Sequence, residues 1–221
     1  MRTLEPVQFK VLKNDETLHG EIVRKAAAII DKSGEGAVRV RDVCAKTKTT
    51  APTIYRLFGD REGLITSAHA YNFIRGQAEL AERFATAIYD CKNKSSFIAI
   101  VHGLIDFMFT DSRSAHRRTR AEVLGAAMSN KSLAKTIGDA QSELNKKFGE
   151  PVRYAQAKGW VRDDFSCEAF IAWMTGITTF RTLVELDSKR PLADEWDKIS
   201  TKAICAVLGI PEPKKVKGIK N

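Results

Sequence analysis

Apolar side chains recur three and four positions apart through nearly the whole chain, and no stretch alternates in the manner of a strand. That spacing gathers them on one face of a helix, so the chain is confined to an all-α fold of amphipathic helices packed on one another. Leu18, Ile22, Ala26 and Ile29, with Val23 and Ile30 alongside, define a first helix from Glu16 or Thr17 to about Ser33-Gly34. Glycine is favoured just past a helix C-terminus. After the Gly34-Glu35-Gly36 break, Val40, Val43 and Cys44 mark a short second helix. The polar run Lys46 to Thr50 then leads into Ala51-Pro52-Thr53-Ile54-Tyr55-Arg56-Leu57-Phe58. Thr50 suits an N-cap there, and Pro52 is tolerated because first-turn amides have no intrahelical partner.

Gly59-Asp60 stops that helix and caps a long one, Arg61 to about Tyr89, with Leu64, Ile65, Ala68, Tyr71, Ile74, Ala78, Ala81, Phe84 and Ile88 at helical spacing. Asn93 to Ser96 reads as a loop and cap. The Phe97 to Phe109 segment is apolar nearly all round, which predicts a core helix covered on several sides. Helices follow over Ala115 to Met128 and Leu133 to Lys158, the second with an expected kink or break at Gly149-Glu150-Pro151. Lys158-Gly159-Trp160 marks a turn. A helix from Ser166 to Leu186 and a last one from Ala193 to Leu208 complete the chain. The expected organisation is a flexible basic arm over 1–15, a three-helix head over 16–62, a helical body over 63–210 and a basic tail over 211–221.

Hydrophobic residues at 43% and charged residues at 29% suffice to bury a core and are unlike a disordered composition. No segment reaches the ~18 uninterrupted apolar residues of a membrane span. The first residues, Met1-Arg2-Thr3-Leu4-Glu5-Pro6, lack the apolar core of a secretory leader, so a cytoplasmic protein with no membrane partner is expected. Cys44, Cys91, Cys167 and Cys205 stand singly and no histidine lies at ligand spacing, so neither a metal nor another cofactor is expected. Hydrolase, P-loop and dinucleotide motifs are absent, which leaves an enzyme reading only four scattered histidines. The net charge of +9 suits a polyanionic partner, and its meaning depends on where the basic residues lie.

Two short helices across a tight turn form a helix-turn-helix, whose second helix can enter the major groove of DNA. The ordered string Val40-Arg41-Asp42-Val43-Cys44-Ala45, then Thr53-Ile54-Tyr55-Arg56-Leu57-Phe58 and Arg61-Glu62-Gly63-Leu64, resembles the head of the TetR family of bacterial repressors. Ile54 and Phe58, four apart, are placed to pack on Val43 and Leu64, leaving Thr53, Tyr55 and Arg56 for DNA. The resemblance implies that Arg41, Ala51, Pro52 and Thr53 approach bases and that Thr50, Tyr55 and Arg61 hold phosphates. The sequence departs from the family at the turn, where Lys48 replaces the usual Gly and can add a phosphate contact. Leu57 also replaces a commonly aromatic or imidazole side chain. A plain helical hairpin with Tyr55 in its core would share the apolar spacings but not the whole string.

The same resemblance implies a ligand-binding and dimerisation body whose last two helices pair across a homodimer. Trp173, Ile177, Phe180 and Val184 form a stripe suited to that role. Tyr71, His102, Phe107, Met108 and Trp173 are candidates for a pocket taking a small-molecule effector, by residue type and segment. The expected function is a repressor on a palindromic double-stranded DNA operator. An activator, or a DNA-binding protein of low sequence preference, would share the fold.

Overall fold

The computed structural model describes residues 17–213, within which there are ten α-helices and no strand, the all-α class that the spacing predicts. The arm expected over 1–15 and the tail lysines at 214–220 lie outside the described residues. In chain order the helices are α1 (Leu18–Ser33), α2 (Val40–Thr47), α3 (Ala51–Phe58), α4 (Arg61–Tyr89) and α5 (Lys94–Phe109), then α6 (Ser114–Ser129), α7 (Lys131–Ala157), α8 (Cys167–Thr179), α9 (Thr182–Glu185) and α10 (Ala193–Leu208). Single 3₁₀ turns occupy Glu35–Ala37 and Asp111–Arg113. The chain divides into two compact units, one taking the residues up to Glu82 with Arg118–Lys147, the other Arg83–Arg117 with the residues from Phe148 on.

The first unit is organised by one apolar cluster to which α1, α2, α3 and α4 all contribute: Ile22, Ala26 and Ala27, then Val43, Ile54, Leu64, Ile65 and Ala68, with Val38 from the α1–α2 loop. Full burial of each large aliphatic side chain contributes about 1.5–3 kcal/mol, enough to hold two eight-residue helices that would not persist alone. Thr17 caps α1 by accepting from the Gly20 amide, and Gly34 ends it at φ 76°, its amide bonded to the Ile30 carbonyl. The later part of this unit is pinned by Arg120. Its guanidinium lies 4.0 Å from the Phe73 ring centroid, donates to the Phe73 carbonyl at 3.1 Å and reaches Gln141 at 3.0 Å.

In the second unit α5 buries Phe97, Val101, Ile105 and Phe109, every fourth residue, and starts at a reciprocal Asn93–Ser96 capping box. The expectation of a helix covered on several sides is corrected: Ile100 and Phe107 are exposed on the opposite face. Of the kink or break expected at Gly149-Glu150-Pro151, the break is absent: α7 runs unbroken from Lys131 to Ala157 with Pro151 inside it. Phe148, Val152 and Ala155 are buried around the proline, so packing compensates for its missing amide.

The single helix expected over Ser166 to Leu186 is instead α8 and the one-turn α9, separated at Phe180-Arg181. Two local causes are visible. Thr178 donates its hydroxyl to the Met174 carbonyl at 2.8 Å and Thr182 to the Thr179 carbonyl at 3.0 Å, competition with the backbone that loosens a helix. Arg181, buried in the break, forks onto Asp197 of α10 at 2.6 and 2.8 Å and also reaches Glu185. Glu185 accepts in turn from Arg117 of α6 and from Ser114, while Arg117 holds the Met108 and Thr110 carbonyls. Burial alone would raise the Glu185 pKa, but the two guanidinium groups outweigh it and hold the carboxyl below its ordinary range. Removing this one carboxylate leaves two buried arginines under-compensated. Glu185→Ala is expected to cost about 3–5 kcal/mol, read as a lowered urea midpoint, whereas Lys135→Ala on an exposed pair should leave the midpoint unchanged.

Candidate nucleic-acid interface

The turn between α2 and α3 is closed by Lys48, which takes the left-handed conformation at φ 51°, ψ 36°. The amides of Lys48 and Thr49 both return to the Cys44 carbonyl, the second at 3.1 Å. Glycine usually occupies such a position because an L side chain costs roughly 1 kcal/mol there. Thr50 precedes α3 in extended backbone, as an N-cap should, but its hydroxyl lies 3.1 Å from that of Thr53 and caps no amide. The first amides of α3 are therefore left to an outside acceptor, and the N-terminus of a helix favours an anion.

Ile54 is fully buried, and Leu57 and Phe58 pack half-buried against the same cluster. The ring of His19 on α1 stacks on Phe58 with centroids 4.6 Å apart, and burial holds its pKa below the ordinary 6.5. With α3 anchored on that side, Pro52, Tyr55 and Arg56 are exposed and Ala51 and Thr53 half-exposed. Tyr55 is 47% exposed, which the hairpin with a core tyrosine does not allow. On α2, the Arg41 side chain is 95% exposed, with Asp42 3.7 Å away.

The exit from α3 is fixed as tightly as its face. Gly59 turns the chain at φ 81°, and Asp60 caps α4 by accepting from the Gly63 amide at 2.7 Å. A Cβ on Gly63 would stand 2.0 Å from the Phe58 carbonyl oxygen, so no larger residue fits without moving backbone. Arg61, expected on a phosphate, donates Nε to the Val38 carbonyl and Nη2 to the Glu35 carbonyl, both at 2.9 Å. Further along α4, His69 pairs with Glu35 at 3.0 Å, and Asn72 and Arg75 hold the two oxygens of Asp31 at 2.8 and 2.7 Å. This polar seam between α4 and the end of α1 went unread in the sequence. Its members are 34 to 44 residues apart and match no motif.

The proposed pocket residues fall in both units. Tyr71 packs on the apolar cluster of the first, with the Arg75 guanidinium 5.9 Å from its ring centroid. In the second unit the His102 Nε2 donates to the Pro211 carbonyl at 2.9 Å and the Met108 carbonyl accepts from Arg117. Phe107, with Arg113 over its ring, and Trp173 are surface side chains of the single chain. Along the proposed dimer stripe Trp173 and Phe180 are exposed and Ile177 and Val184 half-buried, and the break at Phe180-Arg181 falls within the stripe. Leu183, Leu186, Leu192 and Ile199 add to the exposed apolar surface of α8–α10, Leu186 at 83%. Cys167 and Cys205 are buried, which raises both thiol pKa values, and Cys44 and Cys91 are half-buried. Among the described residues no helix is long and apolar enough to cross a membrane.

No family model and no curated protein matches the sequence. Solved structures do match its fold. A protein from Mesorhizobium loti described as a TetR-family transcriptional regulator aligns with 90% of this chain and 98% of its own, at TM-score 0.60 and 14% identity. Another so described, from a Rhodococcus species, covers 86% and 98% at TM-score 0.57 and 16% identity. This chain has the fold of the TetR-family regulators. The transcriptional regulator FadR from Bacillus subtilis, solved in complex with stearoyl-CoA, aligns over 86% and 98% at TM-score 0.53 and 16% identity. Within that TetR-type fold the helix-turn-helix of this chain is α2 and α3, and its departure at Lys48 is met by left-handed backbone at that residue.

Two stability predictions follow from this head. Lys48→Gly relieves the left-handed strain and is expected to raise stability by about 0.5–1 kcal/mol in urea denaturation. His19 has a folded pKa below its unfolded value, so as pH falls the unfolded chain takes up the proton first. Stability should therefore fall from about pH 7 down through the folded pKa, and His19→Gln should flatten that part of the melting-temperature profile.

Proposed function

We propose that this protein is a ligand-responsive transcriptional repressor that binds a palindromic operator as a homodimer and is released by a small-molecule effector. The observation that carries the reading is the orientation of α3: Ile54 is anchored in the core while Pro52, Tyr55 and Arg56 are exposed, as are Arg41, Lys46 and Lys48 of α2 and the turn after it. A rigidly seated helix with an outward polar and basic stripe, open first-turn amides and a net charge of +9 suits insertion into the major groove. Thr50, Ala51, Thr53 and Tyr55 are assigned to phosphates or groove edges, Arg41 and Lys48 to the DNA backbone, and Pro52 and Arg56 to the groove floor. Arg61 acts by holding the α1–α2 loop, since two of its donors already serve backbone carbonyls.

The exposed apolar side chains of α8–α10 support a homodimer, because a soluble monomer rarely leaves such a patch uncovered. A two-fold pair would set two heads about one DNA turn apart (~34–36 Å). The structural likeness to a regulator solved with stearoyl-CoA supports an effector site in the helical body, with His102, Phe107, Met108 and Trp173 of the second unit as candidates. Effector binding must favour one of two conformations, with a typical coupling of about 1–3 kcal/mol.

The test is fluorescence anisotropy of the full chain on its own upstream intergenic DNA, beside scrambled DNA of equal length. Tighter binding to the native fragment, lost in Thr53→Ala/Tyr55→Phe, is expected. Equal affinity for both would leave a DNA-binding protein without operator preference, and binding to neither would end the reading. Lys48→Gly should weaken binding while it stabilises the fold, and reduce the salt slope by about one unit. Phe180→Glu/Leu183→Glu should sediment as a monomer and bind the operator weakly; an unchanged dimer would remove α8–α10 as the interface.

A further inference from the structure

Resting on the DNA-binding reading, we infer that Arg56 reads one guanine in each half-site and is the main base-specifying residue of α3. Residues advance roughly 100° around a helix axis, and α3 is anchored by Ile54 with Leu57 and Phe58 to either side of it. The positions diametrically opposite Ile54 are then Pro52 and Arg56, four apart on one line, both exposed. Thr53 and Tyr55 lie on the two flanks, where a helix in the groove meets the phosphate walls.

The floor of the groove therefore faces Pro52 and Arg56. Pro52 has no amide hydrogen and a side chain of methylenes alone, so it offers apolar contact and no hydrogen bond. Arg56 is left to supply the directional donors. Its planar guanidinium matches the paired O6 and N7 acceptors of guanine, a pattern that no other base presents in the major groove.

Arg24 lies half-buried on α1 and Arg39 just before α2, so neither is on α3, and the remaining arginines nearby are differently placed. Arg61 is engaged with the Glu35 and Val38 carbonyls and Arg75 with Asp31. Arg41 stands at the start of α2, beside Asp42. Lys46 and Lys48 present point charges on α2 and the turn, which suit phosphates better than base edges.

The test is selection of binding sites from a randomised double-stranded DNA library by the full chain and by Arg56→Gln and Arg56→Lys, followed by affinities on single-base variants of the selected site. The wild type should enrich a two-fold motif with one fixed guanine per half-site. In Arg56→Gln that position alone should shift towards adenine or lose preference, with discrimination falling about tenfold or more. Replacing that guanine by 7-deazaguanine, which lacks the N7 acceptor, should weaken the wild type about tenfold and leave Arg56→Gln unaffected. This measurement holds even if a variant melts early.

A variant that selects the wild-type motif, binds every sequence proportionally more weakly and has a shallower salt slope would make Arg56 a phosphate contact and overturn the inference. An enriched wild-type motif insensitive to 7-deazaguanine at every guanine would overturn it as well, leaving the DNA-binding reading intact. Failure of the wild type to enrich any motif would overturn sequence-specific DNA binding itself.

Discussion

The burial of Ile54 between α1, α2 and α4 is the contact on which the rest of the head depends. An eight-residue helix has too few hydrogen bonds to persist by itself, so α3 exists because one face of it is held by an apolar cluster built from three other helices. That contact also sets the helix's rotation. Once Ile54 points inward, Pro52 and Arg56 point outward, and the side chains offered to a partner are decided before any partner arrives.

Polar contacts play a different part in each unit. In the first, the seam of Arg61, His69, Asn72 and Arg75 ties the first turns of α4 to the end of α1 and to the loop after it. In the second, Arg117, Arg181, Glu185 and Asp197 replace apolar packing at the junction of α6, α9 and α10. A buried ion network contributes little net energy compared with a well-packed apolar core, but its geometry tolerates few alternatives.

The helices were largely legible because their apolar periodicity is long and strong: α4 and α10 fall where the spacing places them. Much of the head was legible residue by residue, since Ile54, Phe58 and Asp60 act through local rules of helical phase and capping, whereas the hydroxyl of Thr50 turns to Thr53 instead of capping α3. What escaped was non-local. Nothing near Glu35 or Asp31 announces a partner on α4, and nothing near Arg181 announces Asp197. The Ser166 to Leu186 pattern reads as one helix because periodicity carries no penalty for hydroxyl back-bonding at Thr178 and Thr182 or for a buried arginine. Residue type alone marks the pocket candidates, and type does not say which unit a side chain joins. Tyr71 and His102 show the difference.

The contact between Gly63 and the Phe58 carbonyl joins α3 to α4 at a corner where even one carbon atom is too many. Such a corner divides the head into positions under opposite selection. The hinge and the inner face are closed to change, whereas Pro52, Tyr55 and Arg56 border no core and can be exchanged without altering the angle at which α3 is presented. A few outward substitutions could thus change what this surface meets while the scaffold that presents it stays the same.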